Sequence, residues 1–310
     1  MTFKLKLCTL LALLITSFNL YAQVRILDPK KLSKIKEGKT YIMVQSTKFP
    51  GAEQFLEQAK QNWTLSKGID YIAADHQSTL NPNDSFLSLQ ALTETRGGMI
   101  SVYYALSLWT CKEKYFSSNR SLRNSDHEPV AEIAISVDPK AMDAHVFFKR
   151  YDFDGGGLLY NWSPGMLKNY LGQMTRLLNT GKKVQIQDDI VNKAELAKLS
   201  AQTLYVPDFN LIRFHPFVLG TKKVADEENL FEDYKYPYKV VSKADLDKII
   251  IEGDQPAYYL VFIKDSSSKI VCVINSKTGE TIYSTAKAIA YNLKSGDLKD
   301  LYKEIIKSSK

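Results

Sequence analysis

The stretch of this 310-residue chain with the most site-like composition is YDFDGGGLLYNWSPG, residues 151–165. Carboxylates beside glycines are typical of calcium loops and phosphate loops. An EF-hand loop starting at Asp152 would need an oxygen ligand at position 5 and a glutamate at position 12, where this chain has Gly156 and Ser163. A phosphate loop needs Lys-Ser or Lys-Thr after the glycines, and Leu-Leu follows them. We therefore interpret the stretch as a turn with positive φ at glycine, and expect it to hold no functional divalent ion.

Other residue types that could do acid–base or nucleophilic chemistry form no recognisable pattern. The carboxylate pairs Asp188-Asp189 and Glu227-Glu228 are chain neighbours, so their side chains diverge, and the second pair suits a helix N-terminus. No zinc-like spacing joins the four histidines, which are His76, His127, His145 and His215. We assign no catalytic, cofactor-binding or metal-binding residue, and a triad of distant residues stays open because such sites are spatial.

Aromatic residues give the positive indication of binding. The run YKYPY, residues 234–238, and the tryptophans Trp63, Trp109 and Trp162 are able to stack on a sugar, a peptide or a partner protein. The opposing interpretation is structural. Trp63 falls on an apolar helix stripe and Trp109 ends a strand, so we expect at least two of the three in the core. We expect the tyrosine run to connect a helix to a strand and to cover a sheet edge.

Residues 1–22 read as a secretory signal peptide. Lys4 and Lys6 form a positive start, an apolar run follows, and Ala22 is the small residue before Gln23. The run is shorter than the roughly 20 residues that span a bilayer. Cys8 lies at its front, which argues against a lipid anchor. We expect a soluble, exported protein, periplasmic or extracellular, that starts at Gln23.

The charge distribution and the number of cysteines restrict the possible partners and the disulfide content of the protein. The chain carries 41 basic and 34 acidic residues, and its net charge of +7 falls to about +5 once Lys4 and Lys6 are removed. This charge forms no basic block, so we expect no nucleic acid as a partner. Two cysteines remain, Cys111 and Cys272, too few for a disulfide scaffold. We favour two buried thiols, with a single disulfide bridge as the alternative.

The order of predicted elements indicates an α/β (α+β) protein made of two similar two-layer halves, each a small mixed sheet with one or two helices. In the first half, a helix with Phe55 and Trp63 on its stripe lies among predicted strands at 41–45, 69–73, 86–92, 99–109, 130–137 and 145–151. In the second half, helices at 225–234 and after Ser242 lie among predicted strands at 203–206, 238–241, 257–263, 269–275 and 281–284. The order strand, helix, strand, hairpin occurs in both halves, which predicts an internal repeat.

A single amphipathic helix is predicted to join the halves. Ser163 suits its N-cap, Pro164 its first position and Gly181 its end. The apolar face is Leu167, Tyr170, Leu171, Met174, Leu177 and Leu178. We divide the chain into the signal peptide 1–22, an N-terminal half 23–181 that includes this helix, and a C-terminal half 182–310. We interpret 185–198 as a polar, helical connection.

The segments TYIMVQ (40–45), NDSFLSL (83–89), YKYPYKVVS (234–242), AYYLVFI (257–263) and VINSKTGETIY (273–283) resemble secreted two-half α/β proteins of unknown function from Bacteroidetes. The resemblance covers about 40–285 and implies compartment and architecture only. No functional residue or cofactor carries over from it.

Two functions stay open. The first is a non-enzymatic binding or interaction protein that contacts its partner through a sheet edge or an outer face. The second is a hydrolase or small-ligand-binding protein with a site in the cleft between the halves. A histidine in contact with a carboxylate in such a cleft would favour the second.

Overall fold

The computed structural model describes residues 23–73, 80–96, 99–118, 120, 122–138, 153, 157–184, 190–215, 218–264, 268–288 and 290–310. The strands of the first half are β1 (Val24–Ile26), β2 (Thr40–Val44), β3 (Ile69–Ala73), β4 (Ser85–Arg96), β5 (Met99–Cys111) and β6 (His127–Ile135). Its helices are α1 (Leu32–Glu37), α2 (Ala52–Asn62), α3 (Glu113–Phe116) and α4 (Pro164–Asn179).

The described part of the second half contains eight strands and four helices. Its strands are β7 (Ile190–Val191), β8 (Leu204–Pro207), β9 (Ile212–His215), β10 (Val218–Val224), β11 (Tyr238–Val241), β12 (Tyr258–Lys264), β13 (Ser268–Asn275) and β14 (Thr281–Ala288). Its helices are α5 (Lys193–Leu196), α6 (Glu227–Phe231), α7 (Lys243–Glu252) and α8 (Ser295–Ser308). The connection 185–198, which we interpreted as helical, contains the strand β7 as well as α5, because Ile190 and Val191 pair with β14. Strand β1, the hairpin β9–β10 and helix α8 have no counterpart among the predicted elements.

The two six-stranded sheets have the same strand order and the same strand directions. The first sheet runs β3-β2-β4-β5-β6-β1 and the second runs β11-β8-β12-β13-β14-β7. In each sheet the first three strands are parallel and every later neighbour is antiparallel. Each sheet is also followed in the chain by a long helix, α4 or α8. The predicted fold class, two similar α/β halves with mixed sheets, is confirmed.

Helix α4 lies in a layer shared by both sheets. Its capping is as predicted: Ser163 Oγ accepts a hydrogen bond from Met166 N at 3.3 Å, Pro164 is the first helical residue, and Gly181 follows the end at φ 68°. The helix is buried on more than one face, and its apolar residues share one core with residues of both sheets. Asn169 Nδ2 donates to the Tyr259 hydroxyl at 3.0 Å, which ties the helix to the second sheet.

The halves overlap at their boundary. Val184, beyond the end of the predicted N-terminal half, forms two main-chain hydrogen bonds with Ile26 of β1, at 3.1 and 3.2 Å. Strand β7 then pairs with β14 of the second sheet. Among the described residues, no helix combines the length and apolar character needed to cross a membrane.

Candidate functional site

The second sheet ends in a short edge strand that is surrounded by tyrosines. Strand β11 pairs with β8 on one side, in a parallel register that places Tyr238 opposite Leu204. No strand of the described chain pairs with its other side. Lys239 is exposed along this edge, whereas Tyr238 and Val240 are half-buried. The edge therefore offers unpaired main-chain groups beside aromatic surface.

The local sequence fixes how the tyrosine run enters this edge. Asp226 caps α6 by accepting from Asn229 N at 3.2 Å, and Glu227 and Glu228 lie in the first turn, as the sequence predicts. After the helix, the carbonyl of Pro237 accepts a hydrogen bond from Leu204 N at 3.0 Å. The run 234–238 is thus held between a capped helix and the parallel ladder.

Five rings form what we call the tyrosine cluster: Phe231, Tyr234, Tyr236, Tyr238 and Tyr302. Phe231 and Tyr238 stack with 4.0 Å between centroids and 10° between planes. Tyr302, from α8, lies 5.0 Å from the ring of Tyr236. Phe231 and Tyr234 are buried, while the other three rings are half-buried. The cluster is therefore a packed aromatic base with three rings that reach solvent.

The hydroxyl of Tyr234 is the unusual group of this cluster. It is buried, and it makes no hydrogen bond with the described part of the chain. Burial, followed by the neighbouring Tyr236, raises the pKa of this phenol well above its ordinary value, so it is a neutral O–H donor at every physiological pH. A buried donor without an acceptor costs about 1–3 kcal/mol. An acceptor brought by a partner would remove that cost.

Charged groups border the cluster. Lys299 Nζ lies 3.2 Å from Asp233 Oδ2, and the two side chains are 48% and 36% exposed. Burial, and then the nearby carboxylates of Glu227 and Glu228, raises the pKa of Tyr238. The aromatic surface is thus enclosed by a polar border, which is the usual arrangement of a protein–protein contact.

The seam between the halves contains the closest approach to a catalytic arrangement. Ser163 Oγ donates to Asp247 Oδ1 at 2.5 Å, and Gly165 N donates to the same oxygen at 3.1 Å. Burial is the main cause of the raised pKa of Asp247. Ser163 is only 4% exposed, so its hydroxyl does not face a substrate. We interpret the group as a structural one, in which α7 supplies a carboxylate to the positive N-terminus of α4.

The glycine stretch that looked most like a site is partly described. Gly157 has φ 75°, as expected for a glycine turn. Asp152, Asp154 and the two glycines that follow lie outside the described residues. Trp162 Nε1 donates to the Phe153 carbonyl at 2.7 Å, and the two rings are 5.0 Å apart. The described part of the stretch is therefore anchored in the aromatic core.

The remaining sequence candidates are dispersed. His127 stacks on Trp109 at 3.7 Å, His215 lies in β9, and His76 and His145 lie outside the described residues, as do Asp188 and Asp189. All three tryptophans are buried, in agreement with the prediction that at least two are core. Within the described ranges, no three histidine, cysteine or acidic side chains converge as a metal site would require.

Both cysteines are buried free thiols. Burial raises the pKa of Cys111 and of Cys272 to about 12. Each is therefore a protonated thiol at neutral pH and is inert as a nucleophile. The interpretation of two separate thiols agrees with this placement.

Sequence reasoning found the run 234–238 but not the cluster that it joins. Tyr302 lies more than sixty residues away, and only the docking of α8 brings it to Tyr236. The chain matches no protein-family model, no curated protein and no solved structure.

Proposed function

We propose that this protein is an exported, non-enzymatic binding protein that holds an extended polypeptide against β11 and the tyrosine cluster. The observation that carries the proposal is the Tyr234 hydroxyl, which is buried and lacks an acceptor in the described chain. Three half-buried rings of the same cluster reach solvent. Export is supported by the leader-like residues 1–22.

An extended polypeptide fits this surface better than a sugar. The free side of an edge strand pairs with a peptide main chain, and neighbouring side-chain contacts add specificity. Tyrosine supplies large contact area and a polar end, which is why it is enriched at the centres of interfaces.

Site-specific photo-crosslinking tests the proposal in the exporting cell. A benzoyl-phenylalanine is placed at Tyr236 and, as a matched control, at Lys67, which precedes β3 by two residues as Tyr236 precedes β11. We expect a discrete protein adduct at position 236 that position 67 does not give. No adduct at 236, or the same adducts at both positions, would contradict the proposal.

We further infer that the halves are an internal repeat that arose by duplication of one unit. The shared strand order and directions support this inference, and the hairpin β9–β10 is then an insertion in the second unit. A sequence profile built from relatives of residues 23–181 should detect residues 182–310. A profile that detects only unrelated folds would count against duplication.

A further inference from the structure

Strand β11 presents different chemistry on its two faces. Side chains alternate along a strand, so Tyr238 and Val240 share one face, where both pack against the core that contains residues of α6 and α8. Lys239 and Val241 share the other face, and Val241 belongs to the core around α4. Lys239 is the charged residue of the strand and is exposed. The free edge therefore has what we call a tyrosine face and a lysine face.

The tyrosine face is bordered by two carboxylates that lack a cation. Glu227 and Glu228 are exposed in the first turn of α6. Burial, and then the charges of both glutamates, raise the pKa of the Tyr238 phenol, which shows that the two carboxylates lie near this ring. None of the ion pairs formed among the described residues includes either glutamate, and the ammonium of Lys299 on α8 is paired with Asp233. Uncompensated negative charge therefore borders the half-buried rings.

Arginine is the side chain that best fits the tyrosine face. Its planar guanidinium stacks on an aromatic ring and donates to carboxylates at the same time, whereas an ammonium is a compact point charge. On the lysine face, an acidic side chain of a neighbouring strand would form a favourable opposite-charge pair with Lys239. The two faces of the edge therefore select opposite charges.

We propose that the polypeptide held at β11 alternates basic and acidic residues, with arginine on the tyrosine face and a carboxylate beside Lys239. This inference rests on the proposed function and names the chemistry of its partner. Because side chains of an extended chain alternate between faces, the alternation holds for either direction of the added strand. The buried Tyr234 hydroxyl then donates to a main-chain carbonyl of the partner, since a guanidinium only donates hydrogen bonds.

Two synthetic peptides of identical composition test the inference on the protein purified from an exporting host. In the first, Arg-Glu-Arg-Glu lies between two threonines at each end, and in the second the same flanks enclose Arg-Arg-Glu-Glu. Their net charges are equal, so non-specific attraction to the protein is the same for both. We expect fluorescence anisotropy to show about tenfold tighter binding of the alternating peptide, since only this peptide places like charges on one face.

Removing the charges of the edge should remove this preference. The double variant Glu227→Gln, Glu228→Gln should bind the two peptides equally, and Lys239→Gln should reduce the difference between them. The matched control changes Glu53 and Glu57 to glutamine. Both are exposed residues of α2, which precedes β3 as α6 precedes β11, and this variant should keep the full preference.

The outcomes also separate this inference from the proposed function. Equal binding of both peptides by the wild type, lost in Tyr236→Ala, would overturn the alternation and leave a polypeptide site at β11 standing. A preference that the Glu227→Gln, Glu228→Gln variant retains would overturn it as well, because the discriminating charges would lie elsewhere. Absence of peptide binding together with absence of the crosslink at position 236 would overturn both proposals.

Discussion

The two sheets have one topology but differ in what covers them. Strand β12 of the second sheet, YYLVFIK, is buried along its whole length, since one face packs on the layer of α4 and the other on α8. Strand β4 of the first sheet places Leu87 and Leu89 toward α4, whereas Ser88 and Gln90 face the opposite way beside Phe86. The second face of the first sheet is therefore apolar only in part, around Phe86 and Trp109, where the buried Ser88 Oγ accepts from Trp109 Nε1 at 2.9 Å. Strands that are apolar on both sides, such as β12, are typical of a sheet whose two faces are both covered by apolar layers.

The two long helices differ in the same way as the two sheets. Helix α4 is apolar on more than one face and packs between sheets, whereas its counterpart α8 has the exposed charges Lys299, Asp300 and Lys303 on its outer side. A polar outer face at the end of a stack is typical of a capping unit. The outer face of α8 is thus polar, unlike any face of α4 that packs on a sheet.

The starts of the two long helices are held differently, and this gives the largest expected effect. At α8, the buried Asp297 accepts hydrogen bonds from Lys269, from Lys287 Nζ at 3.0 Å and from Lys294 N at 2.9 Å. Asp297→Ala removes the only carboxylate bonded to the buried Lys269 among the described residues and leaves it the Asn292 carbonyl at 3.0 Å, so we expect a loss of about 3–5 kcal/mol in urea unfolding. At α4, Asp247→Ala should cost about 1–3 kcal/mol, because it removes the acceptor of two neutral donors, the Ser163 hydroxyl and the Gly165 N–H. Equal losses would remove this difference between the helices.

Acid should weaken the same network at α8. Burial alone would raise the pKa of Asp297, but the hydrogen bonds from Lys269 and Lys287 hold it below its ordinary value. A carboxyl with a depressed folded pKa contributes stability above its unfolded pKa, about 3.9, and loses it as pH falls through the lower folded value. Wild type should therefore lose stability below about pH 4 more steeply than Asp297→Ala, as measured by unfolding at a series of pH values.

A glycine pair in α4 gives an intermediate effect. A Cβ at Gly165 would lie 2.6 Å from Asp247 Oδ1 and 3.2 Å from Ile250 Cβ, so Gly165→Ala should cost about 1–3 kcal/mol through overpacking. At Gly172 the nearest atom would be the Thr278 carbonyl oxygen at 3.5 Å. Gly172→Ala should be neutral or stabilise the helix by up to about 1 kcal/mol. Similar losses at both sites would show that α7 does not pack closely on the start of α4.

Much of the fold follows from local patterns in the sequence. The Ser-Pro start of α4, the apolar run of β12 and the tyrosine run each have a strong local signal, and each occupies the predicted place. Strands β1 and β7 are three and two residues long, and only pairing with distant strands makes them strands. The apolar stripe of α8, formed by Leu298, Leu301 and Ile305, is present in the sequence, although no helix is predicted there.

The site was less accessible to sequence reasoning than the fold. An aromatic run is compatible with a binding surface and with a core, because tyrosine occurs in both. The contact of the Tyr302 ring with the cluster depends on how α8 docks beside α6, which no local pattern encodes. The same holds for the Tyr234 hydroxyl, which finds no acceptor among the described residues.

The smallest expected effect comes from comparing a tyrosine hydroxyl at the β11 edge of the second sheet with one at the β3 edge of the first sheet. Tyr234→Phe removes a buried hydroxyl that has no acceptor in the described chain, so stability should stay the same or rise by up to about 1 kcal/mol. Tyr71 in β3 donates to the Ala52 carbonyl at 2.7 Å, and Tyr71→Phe should cost about 0.5–1.5 kcal/mol. Thermal unfolding of the two variants distinguishes a hydroxyl kept for a partner from one used within the fold. A loss at Tyr234 as large as at Tyr71 would place an acceptor inside the protein.

The central structural claim is that α4 is core to both sheets, and native-state hydrogen exchange tests it most directly. Leu171 of α4 and Leu301 of α8 are both fully buried, and each change to alanine should cost about 2–5 kcal/mol. We expect Leu171→Ala to speed amide exchange in β4 and β12 alike, whereas Leu301→Ala should speed it in β12 and leave β4 protected. Faster exchange in only one sheet of the Leu171→Ala variant would contradict the claim and divide the chain into two independent halves.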